Sequence, residues 1–366
     1  MKKYIILYVA VCLFLAPQTY AGKTAKPAFL YDIRSLGMGG AGIAAARGTF
    51  SYIYNPALLA KEKFSVSVPG IQLEICENLF EVINYASENE ENFKKLDKDY
   101  EGIDEEEQDE ILNQLRVDAA ELDNIWYKST ITPVGGAVFQ NFGISVYNVS
   151  HLATKLDVGI IIPKIIIYAL NDLVISFGYG YQYDEKLALG IGAKIINRRE
   201  SPEIKVQVEE ASTLEDTFNE GFNEMQKGTN GFGLDIGALY QLNEKIELAA
   251  MAQDLLGKVG SDNTPMNIKI GMMYQYNENL TFAADIEDFF NRDGDKFVNK
   301  IYFGGEYKLP IISFRLGFGQ GYPAVGLGIN LSVFELAYTY YSRELTHAPG
   351  LKDETYHLIG FRFGWL

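Results

Sequence analysis

Leu173-Val174-Ile175-Ser176-Phe177-Gly178-Tyr179-Gly180-Tyr181-Gln182-Tyr183 is the stretch that decides the fold. Leu173, Ile175, Phe177, Tyr179, Tyr181 and Tyr183 are all large and apolar or aromatic, and Val174, Ser176, Gly178, Gly180 and Gln182 stand between them. Successive side chains of a strand point to opposite faces, so this segment has one greasy face and one small or polar face. The alternation returns at Phe232, Leu234, Ile236, Ala238 and Tyr240, at Ile268, Ile270, Met272, Tyr274 and Tyr276, and at Phe334, Leu336, Tyr338 and Tyr340. It closes the chain at Ile359, Phe361, Phe363 and Trp365. Strands of roughly ten residues with rings at their ends suit a tilted strand that crosses a membrane. A soluble sandwich also alternates, but its outward face is polar; here the polar face is the narrower, glycine-rich one.

The links repeat as well. Tyr181-Gln182-Tyr183-Asp184-Glu185-Lys186-Leu187, Tyr240-Gln241-Leu242-Asn243-Glu244-Lys245-Ile246 and Tyr274-Gln275-Tyr276-Asn277-Glu278-Asn279-Leu280 each join an aromatic strand end to a new strand through a short polar turn. Short turns belong to the periplasmic side of an outer-membrane barrel, longer loops to the outside. Read this way the chain is all-β, a transmembrane antiparallel β-barrel of about 14 strands, an even number as single-chain bacterial barrels require. The barrel spans 63–366, and its third strand is Gly143–Ser150. The apolar stretch Leu152–Leu170 either lines an acyl-chain pocket, packs on the lumenal plug, or forms an extra hairpin.

In these registers Lys194, Asp235, Lys269, Asp285, Lys300, Glu306, Arg315, Glu335 and Arg362 fall opposite the greasy positions. A Lys or Arg facing lipid at mid-membrane costs roughly 2–4 kcal/mol, so these charges belong in the lumen, paired across neighbouring strands. Two acidic inserts, at about 84–125 and 208–228, break the pattern. Ile111, Leu112, Leu115, Ala119 and Leu122 recur at helical spacing in the first, and Leu214, Phe218 and Phe222 in the second. Both are expected as short extracellular helices, either a lid or docking surface or a solvated decoration.

The N-terminus directs export. Met1-Lys2-Lys3 is a basic n-region and Tyr4–Ala16 an apolar core of about 13 residues, as in a signal peptide. Cleavage is expected after Ala21, so 1–21 is the signal peptide and 22–62 precedes the first strand. Within 22–62, Gly37, Gly39, Gly40 and Gly42 lie in Ser35-Leu36-Gly37-Met38-Gly39-Gly40-Ala41-Gly42, followed by Tyr54-Asn55-Pro56-Ala57-Leu58-Leu59. G-x-G-x-x-G is formally satisfied, but no strand precedes it and no βαβ unit surrounds it, so a dinucleotide site is excluded. Glycines among small residues suit a backbone packed in a confined space, such as a plug inside a barrel.

These paired motifs, Arg34-Ser35-Leu36-Gly37-Met38-Gly39-Gly40-Ala41-Gly42 and Tyr54-Asn55-Pro56-Ala57-Leu58-Leu59-Ala60, resemble the N-terminus of the FadL/TodX outer-membrane transporter superfamily. They are most similar to its TraF-like (conjugal transfer TraF) branch and more distantly to PorV-type proteins. Gly304-Gly305-Glu306-Tyr307 and Glu335-Leu336-Ala337-Tyr338 extend the resemblance into the C-terminal half. It implies a 14-stranded barrel closed by an N-terminal plug, with a hydrophobic ligand leaving sideways through a break in the third strand, past the lipopolysaccharide leaflet. Here that strand has only Gly143, and no proline, to favour a break. Phe361, Phe363 and Trp365 keep the aromatic signal for the barrel-assembly machinery, ahead of a final Leu366.

No catalytic, cofactor or metal site is expected. The histidines, His151, His347 and His357, are not spaced with a further ligand, and Asn291-Arg292-Asp293-Gly294-Asp295 lacks the twelfth-position Glu of a calcium loop. Cys76 is the one cysteine left after cleavage, so no internal disulfide forms. A net charge of −16 argues against nucleic acid. The expectation is passive uptake of hydrophobic compounds such as long-chain fatty acids across the outer membrane, with outer-membrane lipids and lipopolysaccharide as surroundings. The alternative is a structural or docking component of a conjugation or secretion apparatus.

Overall fold

The computed structural model describes residues 29–96, 102, 104–123, 125–157, 164–207, 223, 227–292, 294–347 and 349–365. Residues 1–21, expected as a signal peptide, residues 22–28, and most of the second insert, with Leu214, Phe218 and Phe222, lie outside the described residues.

The strands are β1 (Phe64–Cys76), β2 (Trp126–Phe139), β3 (Phe142–Asp157), β4 (Lys164–Gln182), β5 (Leu187–Glu200), β6 (Ile204–Gln207), β7 (Thr229–Gln241) and β8 (Ile246–Val259). They continue with β9 (Asp262–Asn263), β10 (Asn267–Gln275), β11 (Leu280–Ile286), β12 (Ile301–Lys308), β13 (Ile312–Gly319), β14 (Tyr322–Leu331), β15 (Phe334–Glu344) and β16 (Asp353–Trp365). Each barrel strand pairs antiparallel with its neighbours in chain order; β16 returns to β1, and β8 pairs with β10 past the two-residue β9. With β6 and β9 set aside, the result is a closed barrel of 14 strands.

The repeated turns share one mechanism. Asp184 Oδ1 accepts from the Lys186 and Leu187 amides (2.8 and 2.9 Å), and Asn243 Oδ1 from Lys245 and Ile246 (2.9 and 3.0 Å). Asn277 Oδ1 accepts from Asn279 and Leu280 in the same way (2.9 and 2.8 Å). A short side-chain acceptor replaces a backbone carbonyl and turns the chain within a few residues. On β4, Leu173, Phe177, Tyr179 and Tyr181 are exposed outward, while Val174, Ser176, Gly178 and Gly180 are buried inward.

Two boundaries differ from the sequence reading. The third strand is not short: β3 runs to Asp157 and pairs with β4 without a gap from Phe142↔Tyr179 to Asp157↔Lys164. Much of Leu152–Leu170 is therefore the far end of one long hairpin, neither a loop nor an extra pair of strands. Its apolar residues are covered from the side: Ile167 packs on Ile204 of β6, and Leu156 joins the core of the helical insert. Lys300 sits on a 3-10 turn (Phe297–Lys300) ahead of β12, not on a strand, and pairs with Asp288 at 2.7 Å.

Among the described residues five α-helices complete the fold: α1 (Ile33–Gly37) and α2 (Ser51–Tyr54) inside the barrel, and α3 (Leu79–Glu88), α4 (Glu90–Leu96) and α5 (Glu105–Asp118) between β1 and β2. The periodic residues Ile111, Leu112, Leu115, Ala119 and Leu122 are buried together with Tyr85 and Leu96 and with Cys76, Tyr127 and Leu156 of the barrel rim. The Tyr85 hydroxyl donates to the Leu115 carbonyl (3.1 Å), and burial pushes its pKa up to about 12, so it remains a neutral donor. Among the described residues no helix is long and apolar enough to cross a membrane, which says nothing about strands.

Candidate functional site

The chain from Phe29 to Glu62 lies inside the barrel, and inward-facing glycines of the wall mark its footprint. A Cβ on Gly317 would lie 2.1 Å from the Gly39 amide, and one on Gly190 would lie 2.2 Å from the Ala57 amide. Gly39 and Gly40 have φ of +72° and +97°, a region that side chains with a Cβ rarely adopt, and Gly39 abuts the Phe318 backbone. Gly37 rests against Gly326, and Gly42 against Tyr54. Asn55 caps the 3-10 turn Pro56–Ala60 by accepting from the Ala57 amide (3.0 Å). Its amide nitrogen donates to the Ala238 and Ala250 carbonyls of β7 and β8 (3.2 and 3.4 Å). Pro56, at the first position of that turn, needs no amide partner there.

With Lys300 set aside, the other eight charges assigned to the lumen are all buried on the inner side. Four of them form one chain around the wall: Glu306 on β12 pairs with Arg315 on β13 (2.8 Å), Arg315 with Glu335 on β15 (4.0 Å), and Glu335 with Arg362 on β16 (2.5 Å). Arg315 reaches past β14 because Gly326 and Gly328 leave the room; a Cβ on Gly328 would lie 3.0 Å from its Nη1. The plug joins at both ends: Arg34 binds Glu306 (2.7 Å), and Asp32 lies 3.7 Å from Arg362. Asp285 accepts from the amides of Gly42 and Ile43 (2.6 and 2.9 Å). Lys194 pairs with Asp254 (2.7 Å) and lies 3.8 Å from Asp235, away from that chain. Lys269 pairs with Glu287 (2.8 Å) and lies over the Phe29 ring.

On the side of the plug away from the short turns lies a cavity of about 600 Å³. Phe29, Leu30 and Tyr31 of the plug line it, and Val149, Leu170 and Leu358 carry the apolar wall. Leu152, Ala153 and Tyr168 of the long hairpin also contribute. Its charged residues have charged partners: Arg198 makes two bonds to Asp172 (2.7 and 2.6 Å), Lys128 binds Glu354 (2.8 Å), and Glu203 lies 3.8 Å from Lys205. Arg343 sits over Tyr31, Tyr341 and Tyr356 with Glu74 3.4 Å away. Glu74, Lys128, Asp172, Arg198 and Arg343 were not singled out from the sequence. Alternation alone assigns Gln72 and Glu74 to the polar face of β1; nothing local shows that they border a cavity rather than the plug.

The wall beside this cavity is interrupted, though not within the third strand's pairing to the fourth. The β2–β3 ladder runs from Trp126↔Lys155 to Ile131↔Ser150 and resumes at Val134↔Tyr147, skipping Thr132 and Pro133. In the neighbouring strand β1 shifts register between Ser67 and Gly70 against both partners. Proline has no amide hydrogen to give a ladder, and a bulge disrupts one locally. Among the described residues, no group of three or more His, Cys, Asp or Glu is placed to hold a metal ion.

No family model and no curated protein sequence matches the chain. Solved structures do. The fold is similar to the toluene transporter TodX of Pseudomonas putida (TM-score 0.51, 12% identity, 94% of this chain and 99% of that one). It is also similar to the CymD monoaromatic hydrocarbon channel (TM-score 0.50, 10% identity, 93% of this chain and 98% of that one). At these identities the likeness concerns the fold.

Proposed function

We propose that this chain is an outer-membrane channel for passive uptake of hydrophobic compounds, long-chain fatty acids among them. The observation that carries the reading is the cavity: about 600 Å³, floored by the plug residues Phe29, Leu30 and Tyr31 and bordered by the β2–β3 interruption. Ligand pockets run from roughly 300 to 1,000 Å³, mostly apolar with a few polar groups that orient the ligand. Each methylene buried against Val149, Leu170 and Leu358 is worth about 0.8 kcal/mol, so a long chain binds with few polar contacts. The plug blocks the straight path, and the skipped pairs at Thr132 and Pro133 are the place for a sideways exit into the bilayer. A docking component of a conjugation or secretion apparatus, the alternative, needs no such cavity.

Two measurements test this. Mass spectrometry of material extracted from gently purified protein should find fatty acid or hydrocarbon enriched over bulk lipid and displaced by added oleate. Pro133→Cys with Asn148→Cys, on a Cys76→Ser background, should stop labelled-oleate uptake when oxidised and release it on reduction, with binding kept throughout. Bulk lipid alone, with no displacement by oleate, rejects the transport reading; uptake indifferent to oxidation rejects the exit.

A further inference from the structure

Helix α3 has three faces, not two. Leu79 and Val82 pack against the insert's core and Tyr85 is buried within it, while Glu81, Asn84 and Glu88 form an exposed polar arc. Between these arcs Phe80 and Ile83 stand 52% and 54% exposed. They are three residues apart and share one side of the helix. Neither residue lines the cavity.

The direction of that side is set by the barrel. The Phe80 ring meets His357 edge-to-face at 6.4 Å, and His357 stands on the outward side of β16 with Ile359 and Phe363. His357 Nδ1 is hydrogen-bonded to the Tyr338 hydroxyl (2.8 Å), and the Tyr340 ring lies 5.3 Å away. The exposed apolar side of α3 is therefore continuous with the outward apolar face of β15 and β16, through a cluster of aromatic rings of the kind that populates membrane interfaces.

We propose that α3 is an interfacial helix whose Phe80 and Ile83 lie in the lipid of the leaflet at the loop end. It extends the barrel's apolar belt and fastens the acidic insert beside the mouth rather than across it. The polar arc with Glu81 and Glu88 then faces water, as a helix lying in the plane of a bilayer requires. This inference rests on the reading of the chain as a membrane barrel.

The test uses the full mature chain, Cys76→Ser, refolded into phosphatidylcholine vesicles with and without bromine-labelled acyl chains. Single cysteines at Phe80→Cys, Ile83→Cys, Asn84→Cys and, in the wall, Ile359→Cys carry an environment-sensitive fluorophore. The expected result is loss of emission in brominated vesicles at 80, 83 and 359, with little at 84. Quenching at 359 but not at 80 or 83 overturns the interfacial helix and leaves the barrel reading intact. No quenching at 359 overturns the membrane reading, and the helix proposal with it.

Discussion

At the scale of single residues, the lumen is organised by what glycine leaves out and what arginine fills. Gly39 combines a positive φ with a wall contact that leaves no room for a side chain, since a Cβ there would lie 2.4 Å from the Phe318 amide. Gly39→Trp should displace the plug and raise conductance in planar bilayers; a variant as tightly closed as the parent would count against a close-packed plug. Glu306 accepts from both Arg34 and Arg315 while buried. Removing one partner of a buried ion pair costs about 3–5 kcal/mol, because the charge left behind is uncompensated. Glu306→Ala should therefore lower the unfolding free energy in detergent by that order, read as a lower denaturant midpoint, and replacing Arg34, Glu306 and Arg315 together by Met, Leu and Met should recover much of it. A midpoint unmoved by Glu306→Ala would mean the pair is not desolvated.

At the scale of elements, period and turn chemistry were legible wherever the neighbouring surroundings were uniform. The three Asp/Asn-Glu-Lys/Asn turns read from the sequence share one hydrogen-bond pattern, because the acceptor and the amides it caps are neighbours in the chain. The far end of the β3–β4 hairpin was not legible. Ile165, Ile166 and Ile167 interrupt the alternation because residues of both parities are shielded there: Ile166 and Ile167 are both buried, β6 pairs along the edge of β4, and Ile165 packs against the insert. The insert's apolar residues form a cluster continuous with the barrel rim, with Leu115 wholly buried and the Tyr85 bond at its back. Leu115→Asp should make residues 79–123 sensitive to protease while the barrel keeps its resistance to detergent. Simultaneous loss of both would show that insert and barrel fold as one unit.

At the scale of the whole molecule, a closed ring of antiparallel ladders leaves no strand edge from which unfolding begins. The purified chain should stay folded in detergent and run at an anomalous position on gels until boiled; identical migration before and after boiling would contradict a closed barrel. Away from the far end of the β3–β4 hairpin, the strand order, the positions of the short turns and the inward or outward sense of the strand residues were determined by the sequence alone. Each of these depends on period-two alternation against a uniform outside and on turn residues acting on their nearest neighbours. The tertiary structure alone decided which charges meet and where space remains. Arg34 and Glu306 are 272 positions apart, and the cavity borrows its wall from Gln72 to Leu358. Such meetings depend on the barrel's diameter, on the stagger of its strands and on glycines such as Gly326 and Gly328 that let one arginine reach past a strand. Those are properties of the closed ring, and no local window of the chain carries them.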